Sequence, residues 1–165
     1  MPLWRATTLR RGRCPPQRSV LRSYAATSFL YSLYVQQAHS ADAAAYITTA
    51  GNAPLTLTTL GRFELFNAVR LSLFRKQLDA RAAAADLQAI KTDIQGGVLV
   101  LIACEWAAVH AEAERLSAKH TAKRGHRGMD MLHVASALNL EATDFLTFDQ
   151  NQAKLADAVG LTVKP

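Results

Sequence analysis

Long apolar runs are missing from this 165-residue chain. The longest, residues 98–104, has seven residues, far short of the roughly 20 that span a bilayer as a helix. It reads as a buried strand. Cysteine is scarce too. Cys14 and Cys104 stand 90 positions apart, so they offer neither metal-ligand spacing nor a disulfide framework. The five histidines contain no HExxH or similar pair. No glycine-rich phosphate loop is present, since Gly96-Gly97 stands alone and leads into a strand pattern. Ser28 and Ser136 lack a nucleophile-elbow setting. These absences exclude an integral membrane helix, a disulfide scaffold, a zinc protease, a P-loop nucleotidase and a serine hydrolase of the usual pattern. A cytoplasmic protein is the simplest expectation.

The net charge is +6, yet acids and bases balance over most of the chain. Residues 1–23 hold six arginines (Arg5, Arg10, Arg11, Arg13, Arg18 and Arg22) and no acid, while residues 24–165 carry 13 basic and 13 acidic side chains. Overall basicity is therefore no argument that the folded part binds nucleic acid. Residues 1–19 read as a basic, disordered tail: an RNA-binding arm, a targeting peptide or sequence upstream of the true start. Residues 20–165 read as one domain, with no repeat or internal linker.

Within that domain short apolar runs alternate with longer amphipathic ones. Strands are expected over 20–25, 55–58, 98–102, 144–148 and 160–163. Helices are expected over 28–37, 41–49, 60–76, 80–94, 105–119, 129–140 and 150–159. Thr59 and Asp79 are expected as caps, and 123–128 as a basic loop. In 60–76, Phe63, Phe66, Val69 and Leu73 recur at helical spacing. Strands alternating with helices imply a parallel sheet covered on both faces, with ligands beyond the carboxyl ends of its strands.

Several polar residues fall at that edge. Asp149 follows 145–148 directly, Asp130 opens an apolar helix, and Glu64 lies early in the helix after 55–58. Asn67 shares the Glu64 face, Thr27 and Ser28 follow the first strand, and Thr147 lies in the fourth. Singly, each acid has an ordinary reading: Asp130 and Asp149 as helix caps, Glu64 as a solvated helix residue. Their common position at one edge raises the functional reading.

The segments YAATSFL (24–30), LGRFELFNA (60–68), RGMDMLHVASA (127–137) and FLTFDQ (145–150) resemble, in order and spacing, the successive motifs of PIN-domain proteins, in particular VapC-like toxins. The resemblance covers 20–165. It implies an α/β fold with a five-stranded parallel sheet, bound Mg²⁺ or Mn²⁺, endoribonuclease activity on RNA, and a small antitoxin partner. It places the metal-binding and catalytic acids at Glu64, Asp130 and Asp149, with Thr27, Ser28, Asn67 and Thr147 as supporting oxygens. The same pattern has an aspartate just before Thr27-Ser28, where this chain has Ala26.

The chemistry explains the pattern. Phosphodiester hydrolysis needs an activated nucleophile and neutralised phosphoryl oxygens, which one or two hard divalent ions provide. Mg²⁺ takes oxygen ligands and keeps several waters. Loss of even an outer-shell partner costs metal sites about 10–100-fold, so Ala26 implies impaired activity. A domain that binds antitoxin or RNA without cutting is the alternative, and a phosphate-responsive regulator a third possibility without a motif. Lys123, Arg124 and Arg127, in a cluster with Arg115, Lys119, His110, His120 and His126, are RNA-phosphate candidates or a solvated helix end. His133 shares a helix face with Asp130 and reads as a packed histidine before a substrate-orienting one. The apolar residues crowding 29–34 suggest either a helix buried on most sides or a surface for a second copy or an antitoxin helix. A homodimer is expected.

Overall fold

The computed structural model describes residues 22–165. The basic tail over 1–19 and the first two residues of the expected 20–25 strand lie outside the described residues. Five strands alternate with seven helices in the order β1 (Ser23–Ala25), α1 (Thr27–Tyr34), α2 (Ser40–Thr49), β2 (Leu55–Thr58), α3 (Thr59–Phe74), α4 (Ala80–Gln95), β3 (Leu99–Ile102), α5 (Trp106–Arg124), α6 (Gly128–Asn139), β4 (Asp144–Leu146), α7 (Gln150–Ala158) and β5 (Thr162–Lys164). All pairings are parallel and the strand order is β3-β2-β1-β4-β5. The expected α/β architecture, with a five-stranded parallel sheet, is therefore present. The strand order reverses beside β1, which places the topological switch between β1 and β4.

Alternation along the strands builds the two covered faces. Tyr24 and Phe145 point into one apolar cluster with residues of α5, α6 and α7. Ala25 and Leu146 point into the other, with residues of α1 to α4. Tyr24 and Phe145, partners in register, stack with ring centroids 5.4 Å apart. Among the described residues no helix is long and apolar enough to cross a membrane.

Local chemistry sets most boundaries. Asp79 caps α4 by accepting from the Ala82 N–H at 2.7 Å. The cap of α3 is Thr58, one residue before the expected Thr59, accepting from Gly61 N–H at 3.0 Å. Helix α5 runs beyond the expected 119 and ends at Gly125, whose φ of 68° is a left-handed cap that glycine adopts without strain. Lys123 and Arg124 thus sit in the last helical turn and not in a loop. Strand β4 stops at Leu146, because Thr147 and Phe148 already form the turn into α7.

Of two crowded apolar faces, one follows an alternative the sequence left open and the other departs from its pattern. Helix α1 is buried on most sides, with Phe29, Leu30, Leu33 and Tyr34 in the core, so its crowded apolar residues are interior. Helix α3 buries Phe66 and Val69 but leaves Phe63 65% and Leu73 38% exposed. Phe74 next to Leu73 is 82% exposed. Helical spacing indicated one core-facing stripe there, yet part of it faces solvent.

Candidate active site

At the carboxyl edge of the sheet lies an open groove of about 890 Å³. Glu64 of α3, Asp130 of α6 and Asp149 at the start of α7 all line it, as do Thr27, Ser28 and Asn67. Three acids separated by 66 and 19 positions in sequence are thus brought to one concavity by the topology.

Glu64 is held by a chain of buried groups. Its Oε2 accepts from Thr27 Oγ1 at 2.7 Å and is bonded to His133 Nε2. His133 Nδ1 lies 2.7 Å from the Tyr24 hydroxyl. Both Tyr24 and His133 are fully buried. The proton positions follow from donor inventory. An ionised carboxylate can only accept, so Nε2 donates to Glu64. In the neutral ring Nδ1 then accepts from the Tyr24 O–H. Burial, the largest influence, raises the Tyr24 pKa and keeps that hydroxyl protonated as a donor. Burial alone would raise the Glu64 pKa as well. The hydrogen bonds from His133 and the Thr27 hydroxyl outweigh it, and the carboxyl lies below its ordinary value. Glu64 is part-buried and tethered, unlike the solvated helix residue that is its ordinary reading taken singly.

Asp130 and Asp149 are held differently, by backbone N–H groups. Asp130 Oδ2 accepts from Arg127 N–H at 3.1 Å and closes the first turn of α6. Asp149 Oδ1 accepts from Asn151 and Gln152 N–H at 2.7 and 3.1 Å and caps α7. Both are caps and groove residues at once. Each of the three acids engages one oxygen in this way, and the other takes no hydrogen bond among the described residues. Thr147 is buried in the turn. Its hydroxyl donates to Gln152 Oε1 at 3.0 Å and accepts from Asp149 N–H at 3.0 Å. Ser28 Oγ, 2.9 Å away, therefore donates to Thr147 and accepts from Phe148 N–H. These two oxygens brace the Asp149 turn. Thr27 and Asn67 remain the neutral oxygens beside Glu64.

Ala26 occupies the junction. Its N–H continues the ladder to Leu146 O at 2.9 Å, and it is the N-cap of α1 without a capping side chain. The residue is 0% exposed. Among the described residues no three His, Cys, Asp or Glu side chains lie close enough to form a ready-made metal cage. The donor set is nonetheless all oxygen, which suits Mg²⁺ or Mn²⁺ with much of its water shell retained and does not suit a soft ion.

Of the basic candidates, Arg127 lines the groove; Lys123 and Arg124 are exposed at the end of α5 and do not. Arg75, which the sequence pattern did not single out, lines it too. Arg115 is paired with Glu112 at 2.6 Å. His120 and His126 are buried, and His110 is bonded to the Trp106 carbonyl. The sequence reading missed Tyr24, whose only signal was a phenol in a buried strand, and it undervalued His133, a polar residue in the largely apolar α6.

The class this architecture defines is the PIN-like fold. The crystal structure of FitAcB from Neisseria gonorrhoeae is similar, with a TM-score of 0.58 and 15% sequence identity over 87% of this chain and 96% of that one. At that identity the likeness speaks for the fold alone. No protein-family model matches the chain, and no curated protein matches it in sequence.

Proposed function

We propose that the protein is a metal-dependent endoribonuclease of the toxin type, acting in the cytoplasm and weakened by Ala26. The observation that carries the reading is that Glu64, Asp130 and Asp149, from three separate segments, line one groove at the switch point of the sheet. Mg²⁺ or Mn²⁺, held by these acids, would supply neutralisation of the phosphoryl oxygens and activation of water. The chain's own residues do the rest. His133 and Thr27 fix one Glu64 oxygen and leave the other toward the groove. The caps at Asp130 and Asp149 set the remaining two carboxylates. Arg127 and Arg75 offer cations to neighbouring RNA phosphates, with Lys123 and Arg124 reaching more distant ones. A small antitoxin protein would cover the exposed apolar residues Leu71, Leu73 and Phe74 near the end of α3. A homodimer is part of the same reading.

The alternative is a PIN-like domain that binds RNA or antitoxin without cutting. Ala26 and the lack of a ready-made cage favour it. Mn²⁺ affinity, measured by titration on this chain and on Ala26→Asp, separates the two. We expect Ala26→Asp to bind Mn²⁺ about tenfold more tightly or better, and to raise RNA cleavage at least as much. Absence of cleavage by Ala26→Asp in Mg²⁺ or Mn²⁺, with binding to RNA intact, would leave the binding module standing.

A further inference from the structure

Next to Glu64 the chain places an exposed aromatic ring that the fold does not use. Phe63 precedes Glu64 on α3, lines the same groove and keeps 65% of its surface in solvent. Burying a phenylalanine ordinarily stabilises a fold by about 1.5–3 kcal/mol, so a ring left out at the acids is a ring available to a ligand.

A second ring system ends in the groove. Phe29, at the core, stacks on Phe148 with centroids 5.8 Å apart and planes 16° from parallel. Phe148 stacks in turn on His39 at 4.5 Å and 9°. Phe148 and His39 both line the groove, and the His39 side chain is 50% exposed. The stack thus runs from the buried core outward and stops at a ring with an open side. Its near-parallel geometry matches the way nucleobases stack on protein rings. Phe63, His39 and the three acids share a concavity whose cations are Arg75 and Arg127. A phosphodiester at the acids would have a planar group available for its neighbouring bases. Paired, stacked bases in a duplex cannot present their faces to such rings.

We propose that Phe63 and the open face of His39 are the rings on which this groove stacks the unpaired bases beside the scissile phosphate. This rests on the nuclease reading for the location of the phosphate, but it is a statement about binding. An aliphatic protein segment is the rival occupant of Phe63. The continuous stacking ladder to His39 favours bases over it, and the aliphatic residues Leu71 and Leu73 lie two to three turns farther along α3.

The test is equilibrium binding of a short single-stranded RNA to the full chain, followed by fluorescence anisotropy in Ca²⁺. Phe63→Ala, at an exposed position, should weaken binding by about tenfold or more, within the range known for loss of one base–aromatic stack, while Phe63→Trp retains it. His39→Ala should weaken it by a smaller factor. RNA carrying one abasic position should lose affinity for the native chain, and at one such position should lose no more in Phe63→Ala. A perfectly paired duplex should bind weakly and ignore both substitutions. Equal binding by the native chain and Phe63→Ala overturns the proposal, as does a Phe63→Ala loss that is the same for duplex. Loss of a protein partner by Phe63→Ala with RNA affinity unchanged assigns the ring to protein docking and also overturns it. If the native chain binds no RNA at all, the nuclease reading itself fails, a result distinct from Phe63-insensitive binding.

Discussion

The two sides of the groove hold their acids by different physics. On the α3 side, Glu64 is fixed by side chains, through His133 and Tyr24 at the far ends of 69 and 40 sequence positions. On the α6 and α7 side, Asp130 and Asp149 are fixed by backbone N–H groups within three residues. A helix-cap carboxylate is local: it forms wherever the helix forms. The Glu64 tether exists only when three elements are packed, so its position reports on the tertiary structure. One side of the site should therefore be the more sensitive to core substitutions, the other depending on packing only through the Ser28 brace of the Asp149 turn.

The largest expected effect is at His133. His133→Ala deletes a fully buried ring, leaves the Tyr24 hydroxyl only its 3.5 Å contact to Thr58 and frees Glu64, for a loss of about 3 kcal/mol. Thermal unfolding measures it; a loss below about 1 kcal/mol would mean that the chain of bonds contributes little. Tyr24→Phe keeps the stack on Phe145 and removes only the donor to Nδ1, for about 1–2 kcal/mol. Its Mn²⁺ affinity should fall as well, because the imidazole loses the bond that fixes its orientation. On the other side, Asp149→Ala should cost about 1 kcal/mol and Asp149→Asn only a few tenths, since asparagine caps about as well. Asp149→Asn should nevertheless weaken Mn²⁺ binding, which divides its structural task from its charge. If Asp149→Asn unfolds the protein at room temperature, the proposed independence of the two sides is wrong.

The same contrast explains what the sequence disclosed. The five strands and seven helices follow from apolar periodicity and from caps such as Asp79, which act within a few residues. The three acids were legible because each falls at an element's start or end. The Tyr24–His133–Glu64 chain was not legible, because no local rule tells a buried hydrogen-bonded histidine from an ordinary helix residue. The solvent face of Phe63 was hidden for a related reason. Helical spacing identifies a stripe of apolar residues but not which part of it another element covers. Lys123 and Arg124 were read as loop because three cations in six residues look solvated, whether or not the helix continues beneath them.

The smallest effect, and the finest test of the comparison, is in pH. Burial, and then the nearby Lys119, His126, Arg124 and Arg115, hold the His120 pKa below its ordinary value. The unfolded chain therefore takes up this proton at higher pH than the folded one. The stability it contributes is present above the unfolded pKa, near 6.5, and is lost as pH falls through the folded value. Glu64 is likewise depressed, after burial is outweighed by His133 and Thr27, so its contribution holds above an unfolded pKa of about 4.3 and disappears in more acid solution. Denaturant unfolding across pH 8 to 3 should thus show two separate declines. Substituting His120→Gln should flatten the one nearer neutrality, and Glu64→Gln the acid one, each without altering the other. A single merged decline, unchanged by Glu64→Gln, would mean that the tether of Glu64 to His133 carries no charge-dependent stability.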